Sequence, residues 1–300
     1  MDDFKGRVAV ITGAASGLGR ELANVAASLG MKLVLADVDA VLLERATGEL
    51  QAGGTEVLSM VCDVRKSAHV EELADAALAR FHGVHLLFNN AGVGAGGLIW
   101  ENSVADWEWV LGVNLWGVIH GVRVFTPLML ECARRERGYQ GHIVNTASMA
   151  GLLDAPALGV YSVSKHAVVA LSETLYHDLR LVDAPIHASV LCPYFVPTGI
   201  DRSERHRPAD VRSDAPLSAS QQAAKQLVSR AVGAGKVSAA EVAQLTFEAI
   251  RENRFWIYSH PQALGAVAER MEAIVHGAAP ADPYADTPQI TEMLRAQLRT

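Results

Sequence analysis

A short apolar run, Val8 to Ile11, ends in Thr12 and is followed at once by Gly13-Ala-Ala-Ser16-Gly17-Leu18-Gly19, which opens into a segment of helical period. No other stretch narrows the possible folds as much. Glycines between a strand and a helix permit a tight turn and a close backbone approach. A pyrophosphate can then rest on the free N–H groups and the positive end of the helix. An ordinary strand-to-helix turn is the competing reading, and the motif's place at the head of an alternating chain counts against it.

That alternation runs through most of the sequence. Val/Ile/Leu runs near 7–12, 32–37, 56–61, 85–88, 141–146, 186–191 and 254–258 read as strands, and helical patterns fill about 17–29, 39–52, 67–82, 103–134, 161–181 and 238–251. Short apolar strands separated by helices imply an α/β fold: a Rossmann-type, doubly wound parallel sheet of about seven strands with helices on both faces. A chain of 300 residues, 50% hydrophobic and 20% charged, can bury the core of one such domain, taken here as 1–262. Within it, 200–236 reads as an inserted substrate lid. Residues 263–300 form a C-terminal helical extension, interrupted by the turn-rich stretch from Ala278 to Pro288.

Charge and cysteine usage exclude other classes. The formal charge of −7, from 26 basic and 33 acidic side chains, offers no field for a nucleic-acid backbone or an anionic membrane surface, so a small-molecule partner is expected. Cys62, Cys132 and Cys192 are odd in number and show no metal-binding spacing, which suggests a reducing, cytoplasmic setting and no metal site. No signal peptide or anchor is expected. The greasiest stretch, Trp109 to Leu130, is interrupted by Asn114, His120, Arg123 and Pro127 and reads as a buried helix, not a span.

Asp37 stands at the end of the second strand, where a carboxylate can accept hydrogen bonds from adenosine ribose hydroxyls. It would repel a 2′-phosphate by about 4 kcal/mol per unit-charge pair at ~4 Å and an effective dielectric of ~20. Neutral Ser16 and Val38 supply no phosphate-reading cation, so NAD is favoured over NADP. Either Asp37 or Asp39 could instead cap the next helix, with Asp39 better placed for it.

Further motifs follow in order: Asp63-Val64 after the third strand, Asn89-Asn90-Ala91-Gly92 after the fourth, then Asn114, Ser148, Tyr161-x-x-x-Lys165 and Pro193. With the glycine loop, this series resembles the short-chain dehydrogenase/reductase superfamily in its compact, single-domain branch, over about 6–200 and 238–260. The resemblance implies that Gly13, Ser16, Gly17, Leu18, Gly19 and Asp37 hold the cofactor. It further implies that Asp63 and Val64 frame the adenine, that Asn90, Ala91 and Gly92 support the adenosine side, and that Val196 and Thr198 contact the nicotinamide carboxamide.

Tyr161 and Lys165 lie four apart and share a helix face. Bringing a phenol from a pKa near 10 into the neutral range takes about 4 kcal/mol of preference for the phenolate, which one ammonium at ~4 Å can supply. Taken alone the pair could serve packing, Ser148 could be a strand-end turn, and Asn114 a buried amide. The resemblance implies instead that Tyr161 is the acid/base, supported by Lys165. In that reading Ser148 bonds the substrate oxygen, and Asn114 holds a water linking Lys165 to solvent. His120 and His166 sit in apolar helical segments without partners and read as packing residues.

The chain departs from the family's pattern at Pro193-Tyr194-Phe195-Val196-Pro197-Thr198, where Tyr194 replaces a glycine; either the backbone bends differently or an aromatic ring enters the pocket. The expected reaction interconverts a secondary alcohol and a ketone with NAD. An NADPH-dependent ketone reductase and a catalytically idle NAD-binding sensor or scaffold are the alternatives. Leu152, Leu153, Tyr194 and Phe195 suggest an apolar substrate body. Apolar helices over 103–134 and 161–181 suggest a homo-oligomer, tetramer or dimer. In the lid, a stripe of Ala223, Ala224, Leu227, Val228 and Ala231 could cover an apolar pocket, while Arg202, Arg205, Arg207 and Arg212 alternate with Asp201, Glu204, Asp210 and Asp214 and read as a solvated surface.

Overall fold

The computed structural model describes residues 1, 3–212 and 215–299. Its strands are β1 (Val8–Thr12), β2 (Lys32–Asp37), β3 (Val57–Val61), β4 (Leu86–Asn89), β5 (Gly141–Thr146), β6 (Ile186–Cys192) and β7 (Trp256–Tyr258). They form one sheet in the order β3-β2-β1-β4-β5-β6-β7, parallel at every pairing. Strand order reverses between β1 and β4, which opens a crevice at the carboxyl ends of the strands, where ligands of such sheets bind.

The central strands bury both faces, and the period of two sorts their side chains between two cores. Ala9 and Ile11 of β1 join the core beneath α1 (Gly17–Ser28), α2 (Ala40–Ala52) and α8 (Ala239–Arg251). Val8 and Val10 join the opposite core, beneath α3 (Ser67–Phe81), α5 (Gly117–Arg135) and α6 (Gly159–Leu181). Between β4 and β5 runs a buried polar ladder: Asn89 Nδ2 donates to Asn145 Oδ1 at 2.9 Å, and Asn145 Nδ2 to Ser172 Oγ at 3.0 Å.

The single helix expected over 103–134 runs from Val104 to Arg135 and carries one π-helical turn. α4 (Val104–Leu111) starts at a Ser103/Asp106 capping box and passes through a π-helical turn, Gly112–Trp116, into α5. Asn114, within that turn, pairs with both backbone groups of Val93: its Oδ1 accepts from the amide at 2.8 Å and its Nδ2 donates to the carbonyl at 3.0 Å. The side chain ties the helix to the loop after β4.

Beyond β6 come two 3₁₀ turns, Ile200–His206 and Ala209–Val211, then α7 (Ala219–Gly233); after β7 come α9 (Leu264–Val275) and α10 (Pro288–Leu298). Most of the polar start of this region is exposed, as its sequence implies, with Arg207 as the exception. Arg207 is only 5% exposed: its Nη1 lies 2.7 Å from Asp106 Oδ1 and 3.0 Å from Glu204 Oε1, and its guanidinium sits 4.9 Å from the Trp109 ring centre. Sequence alternation counts Arg207 and its acids as neighbours in a row, but Asp106 reaches it from a different element. Asp214 lies outside the described residues.

Candidate active site

One cleft of about 1760 Å³ crosses the carboxyl edge of the sheet. Every site residue expected from the sequence lines it except Asn114, which is buried behind it.

At the glycine loop, a Cβ on Gly19 would overlap the Gly13 carbonyl oxygen, and one on Gly13 would stand 2.8 Å from Ala91 Cα, so only bare backbone fits here. Ser16 precedes α1 without capping it by its side chain, which leaves the first-turn amides available to an anion. The loop is braced from behind, since Asn90 Nδ2 donates to the Thr12 carbonyl at 3.0 Å and the Asn90 and Ala91 amides donate to Thr12 Oγ1. These features fit a dinucleotide pyrophosphate.

Asp37 and Asp39 separate into two roles. Asp39 caps α2, accepting from the Leu42 amide at 3.0 Å. Asp37 turns toward the loop, where Oδ2 accepts from Ala15 N at 2.9 Å and Oδ1 from Asp39 N at 3.1 Å. Each of its oxygens keeps a lone pair for a ribose hydroxyl. His206 comes within 3.8 Å of Asp39 Oδ2 from the far segment, a neighbour that local sequence spacing could not reveal. Asp63 is held by Arg65 at 2.8 Å, and Arg65 also reaches Asp210 at 3.2 Å. Val196 is buried, and the Thr198 side chain packs against Gly17.

The proton-transfer group is assembled from three elements. Ser148 follows β5; its hydroxyl donates to the Pro193 carbonyl at 3.2 Å, accepts from Ala150 N at 3.1 Å, and lines the cleft with Tyr161. A Cβ on Gly151 would stand 2.7 Å from the Lys165 carbonyl, so the turn that carries Ser148 seats directly on α6. Tyr161 occupies the first turn of α6, the positive end of that helix dipole. Lys165 Nζ donates to the Thr146 carbonyl at 2.9 Å and lies 5.7 Å from the Tyr161 ring centre.

Protein groups alone do not bring the phenol into the neutral range, contrary to the sequence-based expectation. Burial pushes Tyr161 up to about 12, with the Ser148 hydroxyl pulling the other way, and burial brings Lys165 down to about 8. The ammonium is engaged by a strand-end carbonyl, which accepts one of its three donors. Asn114 spends both amide donors, on the Val93 carbonyl and on Ser164 Oγ at 3.0 Å, and Ser164 in turn donates to the Tyr161 carbonyl at 2.7 Å. Ser164 was missed by the sequence reading, although its place one turn after Tyr161 was a signal.

Tyr194 resolves toward the second of its two readings. Its ring lines the cleft, 4.4 Å from the Phe195 ring centre and edge-on to His260, while its amide donates to Ser259 Oγ.

The short chain dehydrogenase family profile matches residues 7–209. A crystal structure of a short-chain dehydrogenase/reductase from Burkholderia phymatum in complex with NAD is 56% identical; the superposition covers 94% of this chain and 99% of that one, with a TM-score of 0.91. A CLA biosynthesis dehydrogenase/reductase of Lactiplantibacillus plantarum is 36% identical over 93% of this chain and 97% of its own length. The 1-deoxy-11-beta-hydroxypentalenate dehydrogenase of Streptomyces exfoliatus is 34% identical over 86% of this chain and 84% of its own.

Proposed function

Because this chain belongs to the short-chain dehydrogenase/reductase family, we propose that it interconverts a secondary alcohol and a ketone with NAD, using Tyr161 as the acid/base. The observation that carries this reading is the convergence of Ser148, Tyr161 and Lys165 on the cleft that the glycine loop also lines. NAD, when bound, supplies the hydride acceptor. The NAD complex of the 56% identical protein and the Asp37 carboxylate both support this cofactor over NADP.

In this reading the loop amides hold the pyrophosphate and Asp37 holds the adenosine ribose. The Ser148 and Tyr161 hydroxyls meet the substrate oxygen, and Tyr161 takes its proton. Lys165 and the first turn of α6 favour the phenolate electrostatically. A side chain at Gly92 would stand 3.6 Å from Asn114 Oδ1 and 3.7 Å from Lys165 Nζ. Glycine keeps open the space that a water between the two requires. The 200–236 segment acts as a lid, its apolar face closing over the substrate and excluding water.

The test follows reduction of NAD⁺ with a panel of secondary alcohols. Oxidation should accelerate through the alkaline range, because burial raises the Tyr161 pKa and the phenolate fraction grows with pH. Tyr161→Phe should lower kcat by about 10³ while NAD affinity stays within a few-fold. Turnover by that variant within about tenfold of the native enzyme would remove Tyr161 from the mechanism. Tight NAD binding without turnover of any alcohol would favour an idle binder.

A further inference from the structure

The cleft does not end at the lid. Its lining continues onto Ala266, Arg270 and Ile274 of α9, onto Pro283 and Tyr284 in the turn that follows, and onto Ile290 of α10. None of the residues of α9 is fully buried and Ile274 is 57% exposed; Leu264 and Val267 pack on the core, while Ala266, Arg270 and Ile274 face the cleft. It is held at the cleft: Arg270 Nε stands 3.4 Å from Asp154 Oδ2, in the loop that follows Ser148. α10 in turn lies on α7, with Gln297 donating to Gln226 at 3.1 Å and Arg230 Nη1 3.6 Å from Met293 Sδ. Burial raises the Tyr284 pKa, and Tyr284 lines the same cleft as Tyr194. Tyr194 is the residue that departs from the family's glycine.

We propose that residues 264–290 form the outer wall of their own chain's substrate pocket, and that Tyr284 and Tyr194 there select a large apolar secondary alcohol with an uncharged body. The proposal rests on the alcohol–ketone reading of this site. Two aromatic rings and Leu217, Leu227, Val228 and Ala231 of the lid offer more apolar surface than a small alcohol can cover. The charges at this wall disfavour an anion: Asp154, Glu269, Asp282 and Asp286 outnumber Arg270 and Lys225, and Arg270 is already paired with Asp154.

The experiment compares 1-phenylethanol with 1-(biphenyl-4-yl)ethanol as substrates for the native enzyme, for Tyr284→Ala and for a chain ending at Gly277. Gln244→Ala, exposed on α8 and away from the cleft, is the control. Either change at the wall should lower the preference for the biphenyl alcohol, as a ratio of kcat/KM values, by about tenfold, mainly through KM, while Gln244→Ala leaves it intact. Calorimetric titration of the enzyme–NAD⁺ complex with 4-acetylbiphenyl reads the wall without turnover, and Tyr284→Ala should weaken that binding about tenfold. If neither alcohol is oxidised by the native enzyme, the reaction reading fails and the titration still judges the wall. Equal ketone affinity in native enzyme and Tyr284→Ala overturns the wall whatever the kinetics show.

Discussion

Asp37 shows how far a single residue can be read in one dimension. Its place at the end of β2 marked it as a ribose ligand, yet Asp39, two residues on, could have exchanged roles with it. Backbone geometry separates them: Asp39 meets the Leu42 amide, whereas Asp37 meets Ala15 of the glycine loop. Removing the carboxylate should therefore act twice. Asp37→Ala should raise KM for NAD about tenfold or more and shift the NAD/NADP preference toward NADP, since the repulsion of a 2′-phosphate disappears. Comparing kcat/KM for both cofactors before and after checks this, and a native enzyme that already prefers NADP would refute the role. Tyr161 and Lys165 were legible as a pair on one helix face, with their role implied by the resemblance, but the sign of the phenol's shift was not legible. Spacing puts two side chains on one face, whereas a pKa follows from how much water each has lost, and burial dominates both groups here.

At the scale of elements, the strands and the main helices lie within a few residues of where hydrophobic periodicity put them. What periodicity did not show has local causes. The helix over 103–134 was legible as one apolar run, but its π-helical turn was not, because one inserted residue leaves the apolar pattern intact; the pairing of Asn114 with Val93 favours the insertion. The segment 200–212 looked solvated because its charges alternate, and in the fold it is pinned at several points. Gly94 N donates to Ser203 Oγ at 3.1 Å, Arg65 reaches Asp210, and Arg207 pairs with Asp106 under cover. Breaking one partner of a buried pair strands the other charge, typically costing ~3–5 kcal/mol. Asp106→Ala should therefore loosen this segment, seen as faster amide hydrogen exchange over 200–212, and should raise KM for NAD and substrate together. Exchange there that matches the native enzyme would show that the pair does not hold the lid.

For the whole molecule, the outer surface carries its own prediction. Val104–Arg135 is long and apolar enough by length and composition to cross a membrane, and 33% of its most apolar window is buried. Phe125, Met129 and Cys132 of α5 pack onto the sheet, while Trp116 is 52% exposed and Val163 of α6 45%. Apolar surface left by one chain in this way fits a second copy, so the protein should assemble as a dimer or tetramer. Light scattering at micromolar concentration should return two or four times 32.0 kDa, and a particle of one chain's mass would refute the assembly. By itself the sequence determined the doubly wound sheet and its glycine-rich first turn, and it marked Asp37 and the Ser148–Tyr161–Lys165 set as candidates for the site. Period-two and period-3.6 patterns and short motifs are local, and a parallel α/β chain brings each strand's carboxyl end to the same edge. Only the tertiary structure decided that Arg207 is buried against Asp106, that Asn114 spends its side chain on Val93, and that Tyr284 and Tyr194 line one cleft. These residues stand from 21 to 101 positions apart in the chain, and no local pattern encodes which distant surfaces meet.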